Sequence, residues 1–142
     1  MARAKLTGSL VNLYAFDKPA PVQSLSGHSS FIYSIAALPD GSGAISAGED
    51  GTLRVWSGRS ASEAVFSLAD ARPETDLVQT IAHPSNSLWS AAVVPAANGT
   101  TYIASASQDS SIRFFTRDPT LVAPPTERER WDKDVSQRQL DK

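Results

Sequence analysis

One pattern of residues occurs twice in this chain, and it constrains the fold more than any other feature. Gly27-His28 is followed by Phe31-Ile32-Tyr33-Ser34-Ile35-Ala36, Leu38-Pro39, Ile45-Ser46-Ala47-Gly48-Glu49-Asp50 and Leu53-Arg54-Val55-Trp56. Ala82-His83 is followed by Ser87-Leu88-Trp89-Ser90-Ala91-Ala92, Val94-Pro95, Ile103-Ala104-Ser105-Ala106-Ser107-Gln108-Asp109 and Ile112-Arg113-Phe114-Phe115. Each copy runs in the same order: histidine, apolar stretch, Pro turn, second stretch, Asp turn, third stretch ending in an aromatic. A unit repeated in this way cannot bury its apolar face alone, so the copies must stack on one another. Leu10-Val11-Asn12-Leu13-Tyr14 reads as the last strand of an earlier copy, with Tyr14 at the place of Trp56.

The stretches themselves are strands. Turn signals recur at Pro39-Asp40-Gly41, Glu49-Asp50-Gly51, Ala97-Asn98-Gly99 and Gln108-Asp109-Ser110. Between them lie short segments rich in β-branched and aromatic residues, at 31–38, 44–47, 52–56, 88–94, 102–106 and 112–116. Short strands joined by tight turns argue an all-β antiparallel architecture. Charge is crowded into 117–142, which opens on Asp118-Pro119 and Pro124-Pro125. There Thr126-Glu127-Arg128-Glu129 fits a capping box, and Glu127, Trp131 and Val135 share one face of a short helix. That helix either leads out of the domain as a solvated segment or docks a partner through Trp131. The organisation expected is therefore 1–26 as the end of an earlier unit with a connecting outer strand, 27–116 as two full repeats, and 117–142 as a charged linker or helix.

Composition removes several classes of function. The chain has no cysteine and only His28 and His83, so thiolate zinc sites, cysteine nucleophiles and three-histidine metal sites are excluded. Thirteen basic against fifteen acidic residues give a net charge of −2, unlike a nucleic-acid binder that relies on bulk positive charge. No apolar run approaches the ~20 residues that span a bilayer, and the first residues hold no apolar stretch of a secretion signal. Neither nucleic acid, nor membrane, nor a cofactor is expected as a partner, and the expected setting is a reducing, intracellular one.

Each repeat contains Ser, His and Asp, the residue types of a hydrolase triad. The same three recurring at matched positions point instead to a structural network, because an enzyme needs one site and not two. No G-x-S-x-G elbow is present, and Gly41-Ser42-Gly43 and Gly48…Gly51 lack the lysine and helix start of a phosphate cradle. Asn98-Gly99-Thr100 fits a glycosylation sequon but reads as a turn. The chain is not expected to be an enzyme.

The pattern resembles the WD40 repeat. Gly27-His28 matches its GH element, Asp50 its turn aspartate, and Val55-Trp56 its closing pair, with Ser57 in place of the final aspartate. Such repeats build β-propellers of four-stranded blades. Spacing from Asp50 to Asp109 exceeds the ~40–45 residues of the usual repeat, the excess falling in 58–76 and 96–101. The resemblance implies a buried network in which Asp50 accepts from His28, and His28 links Ser46 to the indole of Trp56. In the second copy Phe115 replaces the Trp, so at most three members remain: His83, Ser105 or Ser107, and Asp109.

The run from Gly27 to Pro39, together with Ser46–Trp56, resembles the phospholipase A2-activating protein family more specifically. Gln79-Thr80-Ile81-Ala82-His83-Pro84, Leu88-Trp89-Ser90 and Phe114-Phe115-Thr116-Arg117-Asp118-Pro119 add to it. The chain departs from that pattern in its long 58–76 insertion and in Thr7-Gly8-Ser9, which lacks a turn aspartate. Two full copies and a piece of a third cannot close a ring, so a longer native protein is expected. The resemblance implies a WD40 adaptor that binds ubiquitin and links ubiquitylated clients to an AAA unfoldase, the valosin-containing protein, through regions other than these. It implies a cytoplasmic and nuclear location, and a tail like the linker to a ubiquitin-binding domain. Strand alternation turns Phe31 and Tyr33 away from Ile32, with Trp89 at the place of Tyr33 and Glu49 and Gln108 reaching the same end. Phe31, Tyr33, Glu49, Trp89 and Gln108 are therefore the candidate contact residues, although Phe31 and Trp89 could equally pack between blades. A WD40 scaffold of some other complex would show the same fold.

Overall fold

Among the described residues (2–15, 19–21, 23–39, 43–57, 77–116 and 118–141), the computed structural model places ten strands ahead of one α-helix. The strands are β1 (Ala2–Thr7), β2 (Leu10–Ala15), β3 (Gln23–Leu25), β4 (Ile32–Ala37), β5 (Gly43–Gly48), β6 (Thr52–Ser57), β7 (Leu77–Ala82), β8 (Leu88–Pro95), β9 (Thr101–Ser107) and β10 (Ile112–Thr116). A single 3-10 turn at Pro119–Leu121 precedes the helix α1 (Pro125–Leu140). The turn at Asp40-Gly41 and the 58–76 insertion lie outside the described residues.

Every pairing is antiparallel between neighbours in the chain, and the strands form three sheets in the orders β1-β2-β3, β4-β5-β6-β7 and β10-β9-β8. The second sheet is the complete one. Its fourth strand β7 comes from the segment that leads into the second copy of the repeat, as β3 does for the first sheet. Strand composition alone does not single out β7, and its burial explains why. It lies on the outside of its sheet, exposed at Val78, Gln79 and Thr80, and needs no apolar alternation. The third sheet has no equivalent strand among the described residues.

The sheets stack face to face, and the core lies between them. Val11, Leu25, Ile32 and Trp56 fill the space between the first and second sheets. Ile45, Ala47, Leu53, Val55, Leu88 and Ala91 fill the space between the second and third. Strand β5 is buried on both faces from Ala44 to Gly48, which its small residues permit because side chains from both neighbouring sheets close over it. Each large apolar side chain buried in this way contributes roughly 1.5–3 kcal/mol. A backbone bond also crosses the first seam, Ile32 N–H donating to Gly8 O at 3.0 Å, while His83 N–H donates to Gly51 O at 2.9 Å and extends the β6–β7 ladder.

Helix α1 spans 16 residues and buries none of them. It begins one residue before the Thr126 capping box expected from sequence. Pro124 occupies the N-cap without a side-chain bond, and Pro125 takes the first helical position. There its fixed φ suits the helix, and its missing N–H is one fewer unpaired donor in the first turn.

A rim of matched bulges and two unequal networks

In the second sheet the network expected around Trp56 closes completely. Trp56 Nε1–H donates to Ser46 Oγ at 2.8 Å, Ser46 lies 2.7 Å from His28 Nε2, and His28 Nδ1 lies 2.9 Å from the Asp50 carboxylate. One set of protons satisfies all of it: the hydroxyl donates to Nε2, and Nδ1–H donates to Asp50. The Asp50 oxygens also accept from Ser29 N–H, Thr52 N–H and the Thr52 hydroxyl. Burial would raise the Asp50 pKa, but these hydrogen bonds and His28 outweigh it, so the group lies below its ordinary value. Burial lowers the pKa of His28 despite the neighbouring Asp50. Gly48 permits the close fit, since a Cβ there would come 2.9 Å from Phe31 O and 3.0 Å from His28 Nδ1.

The third sheet does not form the three-membered network expected for His83, Ser105 or Ser107, and Asp109. Ser105 Oγ is buried with no hydrogen-bond partner among the described residues. His83 Nδ1 instead accepts from Ser85 N–H at 3.0 Å, while its Nε2 faces Arg113 Nη1 at 3.0 Å. A neutral imidazole offers one acceptor nitrogen, and here two donors point at it. Burial and Arg113 therefore both lower the His83 pKa. Asp109 turns to its own hairpin, accepting from Ser107 and Ser111 hydroxyls, Ser111 N–H and Arg113. Burial opposes these bonds but does not outweigh them, and the Asp109 pKa falls far below the carboxylate range.

The candidate contact residues lie at one end of the two sheets, and a shared irregularity puts them there. The β4–β5 register shifts between Ile32 and Ser34, and the β8–β9 register between Leu88 and Ser90. Tyr33 and Trp89 are thus the extra residues of two equivalent β-bulges, a device that re-aims a side chain out of the ladder. Beside each bulge the same backbone bond recurs: Glu49 N–H donates to Phe31 O at 2.9 Å, and Gln108 N–H to Ser87 O at 3.0 Å. Ser34 then joins the two strands, accepting from Ala91 N–H at 3.1 Å and donating to Ala91 O at 3.2 Å. That seam brings the re-aimed rings together, 5.7 Å apart and 13° from parallel.

The aromatic residues at this rim are open to solvent: Phe31 is 62%, Tyr33 42% and Trp89 56% exposed. None of the three packs into the cores between the sheets. Glu49, accepting from the Ser30 hydroxyl, and Gln108 are also exposed. Partial desolvation and then the Glu49 charge raise the Tyr33 phenol. Strand alternation alone places these residues at one end of the sheets. The paired bulges are not legible from it, because a bulge depends on the partner strand. Among the described residues no group of three His, Asp or Glu side chains is placed to hold a metal ion.

Stacked antiparallel sheets built from one repeat, the second of them four-stranded and closed by a His-Asp hairpin lock, with a rim of bulged inner strands, define the blades of a β-propeller. Residues 19–57 and 75–116 match the model of the WD domain, G-beta repeat family, and the chain belongs to that family. It is 32% identical over 113 residues to the Ubiquitin homeostasis protein lub1 of Schizosaccharomyces pombe. That match covers 80% of this chain and 13% of the relative. Among solved structures the chain is similar to the WD40 β-propeller domain of Doa1, with a TM-score of 0.63 and 27% identity. Here 87% of this chain and 36% of the other are covered. These similarities support the likeness to the WD40 part of the phospholipase A2-activating protein family.

Proposed function

We propose that this chain is the binding module of a ubiquitin adaptor, and that the bulge rim is the surface that meets ubiquitin. Phe31, Tyr33 and Trp89 would supply the apolar anchors, and Glu49 and Gln108 the polar border. One observation carries this reading: the exposed Tyr33–Trp89 stack, built by two matched bulges and tied by Ser34. Binding energy in protein interfaces concentrates in a few aromatic anchors surrounded by a water-excluding border. Rings held on a rigid sheet need little further ordering when a partner arrives. The name of the relative in Schizosaccharomyces pombe, which refers to ubiquitin homeostasis, favours ubiquitin over other partners. The role is non-catalytic and needs no cofactor. Coupling of ubiquitylated clients to an AAA unfoldase for degradation would run through other regions, in the cytoplasm and nucleus.

The test is a nitrogen-15 amide spectrum of the chain recorded with and without unlabelled ubiquitin. The expected result is a shift of the Trp89 indole and of the Tyr33, Glu49 and Gln108 amides. Trp89→Ala should abolish those shifts while costing about 1 kcal/mol or less in stability, since it removes one exposed stacking partner. A folded chain whose rim resonances stay in place at millimolar ubiquitin would exclude this reading and leave a WD40 scaffold for another partner.

A further inference from the structure

At the bulge rim the two copies of the repeat carry different chemistry. The position before the turn aspartate holds Glu49 in the second sheet and Gln108 in the third, and both side chains are exposed. Each is fixed beside a bulge by its backbone N–H, which donates to Phe31 O in one copy and to Ser87 O in the other. The rim therefore bears a carboxylate on the Tyr33 side of the Tyr33–Trp89 stack and a neutral amide on the Trp89 side.

That carboxylate differs from the two beside it in the chain's turns. Asp50 is held by His28 and Thr52, and Asp109 by Ser111 and Arg113. Glu49 accepts from the neutral Ser30 hydroxyl, and among the described residues no lysine or arginine pairs with it. A neutral donor leaves the charge uncancelled, and a carboxylate offers about four acceptor positions, so Glu49 has room for a charged donor. Partial desolvation, and then the charge of Glu49 and a hydrogen bond to it, raise the Tyr33 phenol, which places the carboxylate at the polar edge of the stack.

An exposed carboxylate beside open aromatic rings suits a cation from two directions. The ring faces attract positive charge through their quadrupoles, tryptophan most strongly, and the carboxylate supplies the opposite charge. Rings 5.7 Å apart and 13° from parallel are offset, and both remain open to solvent, so the stack keeps ring surface for a ligand. A guanidinium fits this arrangement better than an ammonium. It is planar and weakly hydrated, lies flat on a ring, and directs its N–H groups in a fork onto a carboxylate.

We propose that Glu49, Tyr33 and Trp89 form a subsite for the guanidinium of an arginine on the partner's surface. That the partner is ubiquitin rests on the reading of the rim given above; the subsite adds which side chain is taken and on which side of the stack. The first probe needs no ubiquitin: N-acetyl-arginine amide is added to the nitrogen-15-labelled chain, with N-acetyl-lysine amide at the same concentration as the control for ionic strength. Arginine should shift the Tyr33 and Glu49 amides and the Trp89 indole, and lysine should not. Glu49→Gln, which keeps an acceptor for Ser30 but removes the charge, should lose the response. Equal shifts with both compounds, no shift with arginine, or a shift that survives in Glu49→Gln would overturn the subsite whatever ubiquitin does. In the second measurement, ubiquitin affinity at low salt should fall about three- to fivefold in Glu49→Gln. It should not recover when Gln108→Glu is added, which restores the net charge on the other side of the stack. Unchanged affinity, or recovery, would overturn the subsite and leave the ubiquitin reading intact. A parent chain that responds to arginine but not to ubiquitin would overturn that reading and leave the subsite standing.

Discussion

The second and third blades are built from one pattern, yet they use its residues in opposite ways. In the second, Trp56, Ser46, His28 and Asp50 form a directed chain in which every donor meets an acceptor. In the third, Phe115 stands at the place of Trp56, and the loss of that one N–H leaves Ser105 buried without a partner among the described residues. His83 swings to the Ser85 backbone, and Asp109 passes to Arg113. The turns differ too. Gly51 takes the left-handed position with φ 71°, whereas Ser110 occupies its counterpart at φ 62°. The lesson is that a buried network behaves as a unit. Removing one member changes the bonds of the others, and here the Asp109 carboxylate holds Arg113, which also reaches Asp132 of α1.

The largest test of this contrast is the same substitution made in each blade. Ser46→Ala strands both the Trp56 indole N–H and His28 Nε2 in a site with no solvent access, and each unsatisfied group costs about 1–3 kcal/mol. The expected destabilisation is roughly 2–4 kcal/mol in urea unfolding. Ser105→Ala removes a hydroxyl that has no partner to lose, so its effect should lie within about 0.5 kcal/mol of zero. Equal losses at the two sites would mean that Ser105 has a bond that its surroundings do not suggest, and the contrast between the blades would fail.

Much of this contrast's framework is legible in the amino-acid sequence. The repeat order and its Asp turns give the strands, their sequence and the stacking of sheets, since each unit must bury a face against its neighbour. His28, Ser46, Asp50 and Trp56 stand at recognisable positions, and alternation puts Phe31 and Tyr33 on the side away from Ile32. Three things are not visible there. The rewiring of the third blade depends on which rotamer His83 adopts, and that follows from Ser85 and Arg113 across space. The pairing of Tyr33 with Trp89 depends on the Ser34–Ala91 seam between two sheets. The outer strand β7 carries too little apolar pattern to announce itself, because one side of it faces water.

Acid sharpens the same comparison. Both histidines have folded-state pKa values lowered from 6.5. Below about 6.5 the unfolded chain therefore binds protons that the folded chain refuses, and the stability present above that pH is lost as it falls through the folded values. After burial, Asp50 leads at His28 and opposes the loss while Arg54 adds to it, whereas at His83 Arg113 leads and adds to the loss while Asp109 and Asp132 oppose it. Urea midpoints should accordingly fall between pH 7.5 and 5.5, and His83→Gln should flatten that slope. The depressed Asp50 and Asp109 add a second loss, which begins only below the ordinary carboxylate range. An unchanged slope in His83→Gln would assign the sensitivity to His28 alone and remove the difference in pH response between the blades.

The smallest effect concerns the turn. A non-glycine residue in the left-handed region places its Cβ against a neighbouring carbonyl, at a cost of about 1–2 kcal/mol, and Ser110 is the one such residue described. Its counterpart Gly51 avoids that strain and also fits where a Cβ would come 2.7 Å from Ser85 O. Ser110→Gly should therefore stabilise the third blade, less the extra freedom that glycine gives the unfolded chain, for a net gain of about 0.5–1 kcal/mol. Gly51→Ser should destabilise by more than that, because it adds the same strain and the clash with the backbone of the next repeat. If Ser110→Gly instead destabilises, the Ser110 side chain makes an interaction worth more than the strain it bears. The Asp109 turn would then be a second, differently built lock, not a weakened copy of the first.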